Sequence, residues 1–255
     1  MTVFQALVLG IVEGLTEFLP ISSTGHLILA AKLLGLAQTD FQKSFEIVIQ
    51  LGAIGSVVVL YWRQFLRPEV LTRVVVAFLP TGAIGLLLYP LVKSYLLGNE
   101  SVVLLALFLG GVILIVFEVF YREPSGAASD IKSITYLQAI SIGLFQAVAI
   151  VPGVSRSGAT IVGGLAMGLT RKTIVEFSFL LAVPTMLAAT GLDLVKNASS
   201  FSAGQSGALA VGFVASFIVA MLSIKFLLAY VRTRTFIAFG IYRIAAAAMF
   251  FFLVG

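Results

Sequence analysis

The stretch EGLTEFLPISSTGH, residues 13–26, sets Glu13, Glu17 and the chain's only histidine, His26, among serines and threonines between two apolar runs. Gly10, Glu13, Gly14 and Glu17 are spaced i, i+3, i+4, i+7, so on a helix they share one face. That face would carry two carboxylates and two positions without side-chain bulk. Carboxylates four residues apart suit a hard divalent cation, Mg2+ or Ca2+. A structural ion pair or a water-lined seam is the other reading of the same face. An ionisable group at membrane depth is costly, so function is the default expectation for it. After Pro20, Ser22 or Ser23 could cap the following helix, and Gly25 would let backbone come close. With Thr24 they make a tip suited to an anion, and His26 is a candidate for catalysis.

A second stretch, PGVSRSGAT at 152–160, repeats the theme with a cation. The Arg156 guanidinium stays charged and fits phosphate oxygens bidentately. It falls where a short helix would begin, flanked by Ser155, Ser157, Gly158 and Thr160. Helix N-termini carry free N–H groups and positive potential, the setting for bound phosphate. A salt bridge from Arg156 to Glu13 or Glu17 is the structural alternative.

The elements that must hold these residues are membrane helices. The chain has 255 residues, 60% hydrophobic and 11% charged, against about 25% charged in soluble domains. Six segments, roughly 43–62, 74–92, 101–120, 174–195, 208–230 and 236–254, are long enough to cross a bilayer. Regions 2–36 and 135–169 are instead two short runs around a Pro/Ser/Gly break, and are expected as re-entrant hairpins. Broken helix at that depth is tolerated only inside protein or along a wet cavity. The two regions match each other in one ungapped register: Gln5 and Gln138, Ala6 and Ala139, Gly10 and Gly143, Ser22 and Ser155, Gly25 and Gly158 all lie 133 residues apart. In that register Glu13 falls on Gln146, Glu17 on Ile150, Ser23 on Arg156 and His26 on Ala159. The acids and the histidine belong to one copy and the arginine to the other. One composite site, formed where the two tips meet, follows.

A hairpin plus three spans per copy, joined by a polar linker at 121–133, makes the second copy upside down. The expected fold is an all-α polytopic membrane protein, one integral domain over 1–255 built as an inverted-topology repeat. The net charge of +5 is spread through short gaps, which argues for anionic headgroups rather than nucleic acid. Arg63, Arg67, Arg73, Arg122, Lys132, Arg171, Lys172, Arg232 and Arg234 would face the cytoplasm. Lys32, Lys43, Lys93 and Lys196 would face outward, with both termini. Lys225 and Arg243, inside segments, could snorkel or pair. The absence of cysteine excludes disulfides and thiolate metal sites, and no cleavable signal peptide is expected. A homo-oligomer is left open. A transporter or flippase of a lipid phosphate or small anion would fit the same repeat.

At these residues the chain resembles the undecaprenyl-pyrophosphate phosphatase family, membrane enzymes linked to bacitracin resistance. EGLTEFLPISSTGH and PGVSRSGATI match its two signature stretches, and FEIVIQLGAI (45–54) and EFSFLLAVPT (176–185) look familial. The resemblance implies hydrolysis of undecaprenyl pyrophosphate to the monophosphate carrier of cell-wall synthesis. It also implies a divalent cation and a site open to the periplasmic side of a bacterial inner membrane. It makes Glu13 and Glu17 the acidic pair, Ser23 and His26 the nucleophile and base candidates, and Arg156 the phosphate-binding arginine. Ser23 activated by His26 or Glu17, His26 attacking directly, and activated water all remain open as nucleophiles.

Overall fold

The structure, a computed structural model, describes residues 1–37, 39–96, 99–124, 126–197 and 205–254. It is all-helical apart from an isolated bridge between Ala128 and Leu169. Helix α1 (Val3–Thr16) starts at a capping box, in which Thr2 and Gln5 bond each other's backbone N–H. It ends in a non-helical break, after which α2 (Ser23–Leu33) turns back and packs on it. Next come α3 (Asp40–Phe65), α4 (Pro68–Leu91) with a π-turn after it, and α5 (Glu100–Phe120). The second half opens with α6 (Tyr136–Ala147), capped by an equivalent box of Thr135 and Gln138. After the second break come α7 (Arg156–Ala166), α8 (Arg171–Asn197), α9 (Ser206–Tyr230) and α10 (Ile237–Val254).

Among the described residues, five helices are long and apolar enough to cross a membrane: Phe41–Phe65, Pro68–Leu91, Glu100–Phe120, Arg171–Gly191 and Ser206–Tyr230. The sixth expected span is the 18-residue α10. At 1.5 Å per residue it reaches about 27 Å, just under a typical hydrocarbon core. The paired short helices are 14 and 11 residues in the first hairpin, and 12 and 11 in the second. None of these is long enough to span.

The halves interlock. Helix α1 packs on α9, while α6 packs on α4, so each hairpin leans on a long helix of the other half. Helix α3 packs on α8 and α5 on α10, each against its own counterpart. The small residues of α1 permit this close approach: a Cβ at Gly14 would lie 2.7 Å from the Ser216 carbonyl, and one at Gly10 2.5 Å from that of Gly212. Gly143 on α6 meets the Ala77 carbonyl of α4 in the same way.

The hairpins open at opposite ends of the bundle. The outer end of the first is closed by Gln5 donating to the Leu34 carbonyl, near the Lys32–Glu100 ion pair. That of the second is closed by Gln138 donating to Met167, beside the linker and the Arg171–Glu123 pair. The basic connections gather at this second end: Arg73 donates to Ile134, and Arg171, Lys172, Arg232 and Arg234 line one hollow. The side chains of Lys93 and Lys196 lie outside the described part. The two breaks meet mid-bundle over a core that includes Phe18, Phe177 and Phe179.

Candidate active site

Both breaks turn on the same backbone device. Among the described residues, Ser22 (φ 70°) and Ser155 (φ 71°) are the non-glycine positions with positive φ. Such a conformation is strained for an L residue and persists only where surroundings enforce it. At Ser155 the side chain also caps, its Oγ accepting from the Gly158 N–H at 3.2 Å. At Ser22 it does not, and Ser23 lies inside α2, bonded elsewhere. The serine cap expected on α2 does not form, whereas the equivalent serine caps α7 from the same positive φ. The first N–H groups of α2 are left for another acceptor.

The tips are joined through a chain of three side chains. Ser23 Oγ donates to Glu17 Oε2 at 2.5 Å, and Arg156 Nη2 donates to Glu17 Oε1 at 3.0 Å. Arg156 Nη1 donates to the Ser178 carbonyl at 2.9 Å, and its guanidinium lies over the Phe18 ring at 5.7 Å. The salt bridge weighed as an alternative for Arg156 thus exists, and it runs to Glu17. Arg156 Nε remains buried with no partner, a donor still available to a ligand. Ser157 Oγ closes the junction by donating to the Leu19 carbonyl at 2.8 Å.

A cavity of about 290 Å3 opens here, lined by Glu17, Ser22, Ser23, Thr24, Ser155 and Arg156. Gln50, Thr81, Gln146 and Thr185 line it as well. Other expected site residues support it from behind. Gly25 makes room for Leu107, and Gly158 sits beside Arg243 and Ser155. Thr160 bonds Ser178 Oγ at 2.6 Å and the Arg156 carbonyl at 3.1 Å. His26 lies outside the lining: its Nδ1 meets the Ser22 carbonyl at 2.7 Å, and its Nε2 meets the Tyr242 phenol oxygen, Oη, at 2.8 Å. Since a carbonyl only accepts, Nδ1 carries the hydrogen and Nε2 accepts from the phenol. Glu13 is fully buried behind the same helix face, with neither carboxylate oxygen partnered.

One residue was read differently from sequence. Arg243 neither snorkels nor pairs with an acid. It is 1% exposed, and it donates to the carbonyls of Leu107, Ala106, Pro20, Val154 and Gly153. The last three belong to the two breaks, so one guanidinium holds both tips. A charged residue inside an apolar helix was the available signal. Gln146 was visible only as the counterpart of Glu13, and Tyr242 carried no signal of its own.

With this geometry in view, the comparisons with known proteins agree. The family described as "Bacitracin resistance protein BacA" matches residues 6–249. An undecaprenyl-diphosphatase of Aquifex aeolicus (strain VF5) is 52% identical, over 99% of this chain and 100% of that protein. One from Sulfurihydrogenibium sp. (strain YO3AOP1) is 51% identical, over 98% of this chain and 99% of its own length. Another, from Wolinella succinogenes, is 51% identical over 99% and 98%. A family match over nearly the whole chain, with relatives at this identity, means that the chain belongs to the BacA family of undecaprenyl-diphosphatases.

Proposed function

We propose that the two break loops form one phosphoryl-transfer site, with Ser23 as nucleophile, Glu17 as its base and Arg156 as the clamp on the terminal phosphate. The activity itself, hydrolysis of undecaprenyl diphosphate, goes with the family. The observation that carries the residue assignment is the Ser23–Glu17–Arg156 chain at the wall of a cavity shared by both hairpins.

Phosphoryl transfer needs positioning and charge stabilisation above all. Arg156 and the uncapped N–H groups of α2 supply the charge. Ser23 Oγ attacks the terminal phosphorus and the bond to the bridging oxygen breaks. Glu17 takes the hydroxyl proton and passes it to the departing lipid monophosphate. Water then attacks the phosphoserine, the bond from phosphorus to Ser23 breaks, and Glu17 passes the water's proton back to Ser23. His26 is a supporting group in this reading, because its basic nitrogen is held by Tyr242 and not by Ser23.

A divalent cation, Mg2+ or Ca2+, belongs to the proposal. The two unpartnered oxygens of Glu13 have the chemistry of hard-cation ligands, but Glu13 is fully buried and outside the cavity lining. Glu17 is the other acid, though both its oxygens are engaged. No group of three or more acidic or histidine side chains that could hold a metal occurs among the described residues. The remaining ligands would be pyrophosphate oxygens and water. When bound, the cation would neutralise charge on the phosphates. Activity should vanish with chelator and return with Mg2+.

The wider arrangement follows the same reading. Hairpins opening at opposite ends, with tips meeting mid-bundle, are what an inverted-topology repeat of re-entrant hairpins would place at the midplane. The basic end would face the cytoplasm, with both termini outward and the cavity open to the periplasmic side. The prenyl tail would remain in lipid between helices. The test is phosphate release from undecaprenyl pyrophosphate by protein purified in detergent, wild type against Arg156→Ala, with mapping of any phosphorylated residue. A phosphohistidine in place of phosphoserine would overturn the assignment of Ser23.

A further inference from the structure

The cavity lining also carries a hydrogen-bonding demand that the reaction above does not use. Thr81 Oγ1 donates to the Gly143 carbonyl at 2.8 Å, and Thr185 Oγ1 donates to the Leu181 carbonyl at 2.8 Å. A hydroxyl has one hydrogen, so toward a third group each threonine can only accept. The Gln146 amide lies between them, its nitrogen 2.9 Å from Thr81 Oγ1 and 3.0 Å from Thr185 Oγ1. Both amide hydrogens are thereby engaged. The amide cannot be turned over without setting its oxygen against two acceptors. Its orientation is fixed by chemistry, and the remaining atom, Oε1, is a buried acceptor with no partner. Gln146 as a whole is 1% exposed.

Of the buried side-chain atoms without partners among the described residues, those that belong to residues lining the cavity are Gln146 Oε1 and Arg156 Nε. They are opposite in sense. The arginine nitrogen is a donor and answers a phosphate oxygen. The glutamine oxygen is an acceptor and answers a donor. A pyrophosphate offers acceptors, and a prenyl tail offers neither. The reactant that brings O–H donors is water. From the locked Gln146 oxygen we propose that this part of the lining is the binding site of the hydrolytic water, with Gln146 as its positioning residue and Thr81 and Thr185 holding the amide. Water is held there through one hydrogen, which leaves an oxygen lone pair to attack phosphorus. Its other proton passes to Glu17 as the P–O bond forms and the bond to Ser23 breaks. The inference rests on the phosphatase reading. It explains why the repeat keeps an amide at 146 where the other copy has Glu13: a carboxylate there would face the two threonine oxygens with no hydrogens to offer.

The experiment uses the full chain in detergent with undecaprenyl pyrophosphate and methanol as a competing nucleophile. Inorganic phosphate and methyl phosphate are measured separately for the wild type, Gln146→Met and Gln146→Glu. For Gln146→Met, kcat should fall by about 10- to 100-fold, the scale of a misplaced reactant, and KM should fall with it, because formation of the phosphoserine is untouched and kcat/KM is preserved. The methyl phosphate share should rise, because water loses its held place and competes only by concentration. Gln146→Glu, which keeps an acceptor oxygen but loses the lock, should fall between. A product ratio unmoved in a folded Gln146→Met protein would overturn the inference, whatever happened to kcat, since a purely structural role leaves the ratio alone. If that variant does not fold, Thr185→Val and Thr185→Ser decide. The valine should raise the methyl phosphate share and the serine should restore it, and no difference between them overturns the inference. Absence of phosphate from the wild type would overturn the phosphatase reading itself, and this inference with it.

Discussion

The two hairpins have nearly the same backbone and almost none of the same chemistry. Each starts at a Thr-x-x-Gln capping box, and each sends that glutamine's amide to a carbonyl 29 residues on, at 3.1 Å and 3.0 Å. Each bends through a serine at φ near 70° and leaves through a glycine of positive φ, Gly35 or Gly168. The side chains at the bend then diverge, with Ser23 opposite Arg156 and Glu17 opposite Ile150. A duplicated frame brings two helix tips together mid-bundle, and divergence gives one tip Ser23 and Glu17 and the other Arg156. On the proposed reading, function resides in these differences and rigidity in what the copies share.

The largest effects should come from the residues that differ. Ser23→Ala, Glu17→Gln and Arg156→Ala should each lower kcat by about 10²–10³-fold or more, the scale of losing one charge-stabilising contact or the nucleophile. Because the three form one hydrogen-bonded chain, Glu17→Gln combined with Arg156→Ala should cost far less than the product of the single losses. Kinetics of phosphate release on the two single variants and the double variant check this. A fully multiplicative double would mean that the tips act independently.

Next in size is the residue that binds the tips together. Carrying the 133-residue register on to α5 and α10 sets Gly110 against Arg243. A Cβ at Gly110 would run into the Arg243 guanidinium. The centre where the halves meet has room for one arginine, and its counterpart must be glycine. Arg243→Met would take the guanidinium from five carbonyls; those of Ala106 and Leu107 keep their helical partners, and those of Pro20, Gly153 and Val154 in the breaks would be left at about 1–3 kcal/mol each. Gly110→Ala would displace the same guanidinium sterically. Both should lower the melting temperature in detergent and depress kcat together. If Gly110→Ala matched the wild type in both, Arg243 would not be the tie between the tips.

His26→Ala and Tyr242→Phe test a smaller asymmetry, since Ala159 stands where the first copy has His26. The imidazole bonds the Ser22 carbonyl next to the strained turn and stacks on Tyr242, ring centroids 5.5 Å apart. Removing the phenol hydrogen bond should cost about 1 kcal/mol, roughly a few-fold in kcat if it all appears in the rate. His26→Ala should cost more, because the Ser22 carbonyl also loses its donor. A loss as large as that of Ser23→Ala would return His26 to the position of base or nucleophile.

The breaks, the 133-residue register and the meeting of the two tips could be read from residue type and spacing, because Pro, Gly and serine at a helix tip carry local signals and a register is a property of the string. Five of the expected spans were readable from apolar length alone. What could not be read depends on partners distant in sequence. The role of Arg243 is set by carbonyls of Pro20 and Leu107, which no local pattern announces. That Ser155 caps its helix and Ser22 does not, at the same positive φ, is likewise invisible in two matching serines. The place of His26 outside the cavity is set by Tyr242, more than 200 positions on.

The smallest predicted effects test what the hairpins have in common. Gln5→Leu and Gln138→Leu each remove one side of a capping box and the tie across the hairpin's open end. Each leaves one backbone N–H and one carbonyl, of Leu34 or Met167, without that partner. Both glutamines are half-buried, so water can recover part of the loss, and each substitution should cost about 1 kcal/mol or little more. Because the two sites lie at opposite ends of the bundle and share no partner, their effects on stability should add within about 0.5 kcal/mol. Neither should change KM, as neither side chain reaches the cavity. Melting curves of the two single variants and the double variant decide the matter. Equal and additive losses would mean that the shared backbone design is energetically symmetric as well as geometrically so. A much larger loss at Gln5 would mean that the chemical specialisation of the first hairpin, with Glu13 buried and unpartnered on α1, has left its frame with less stability to spare.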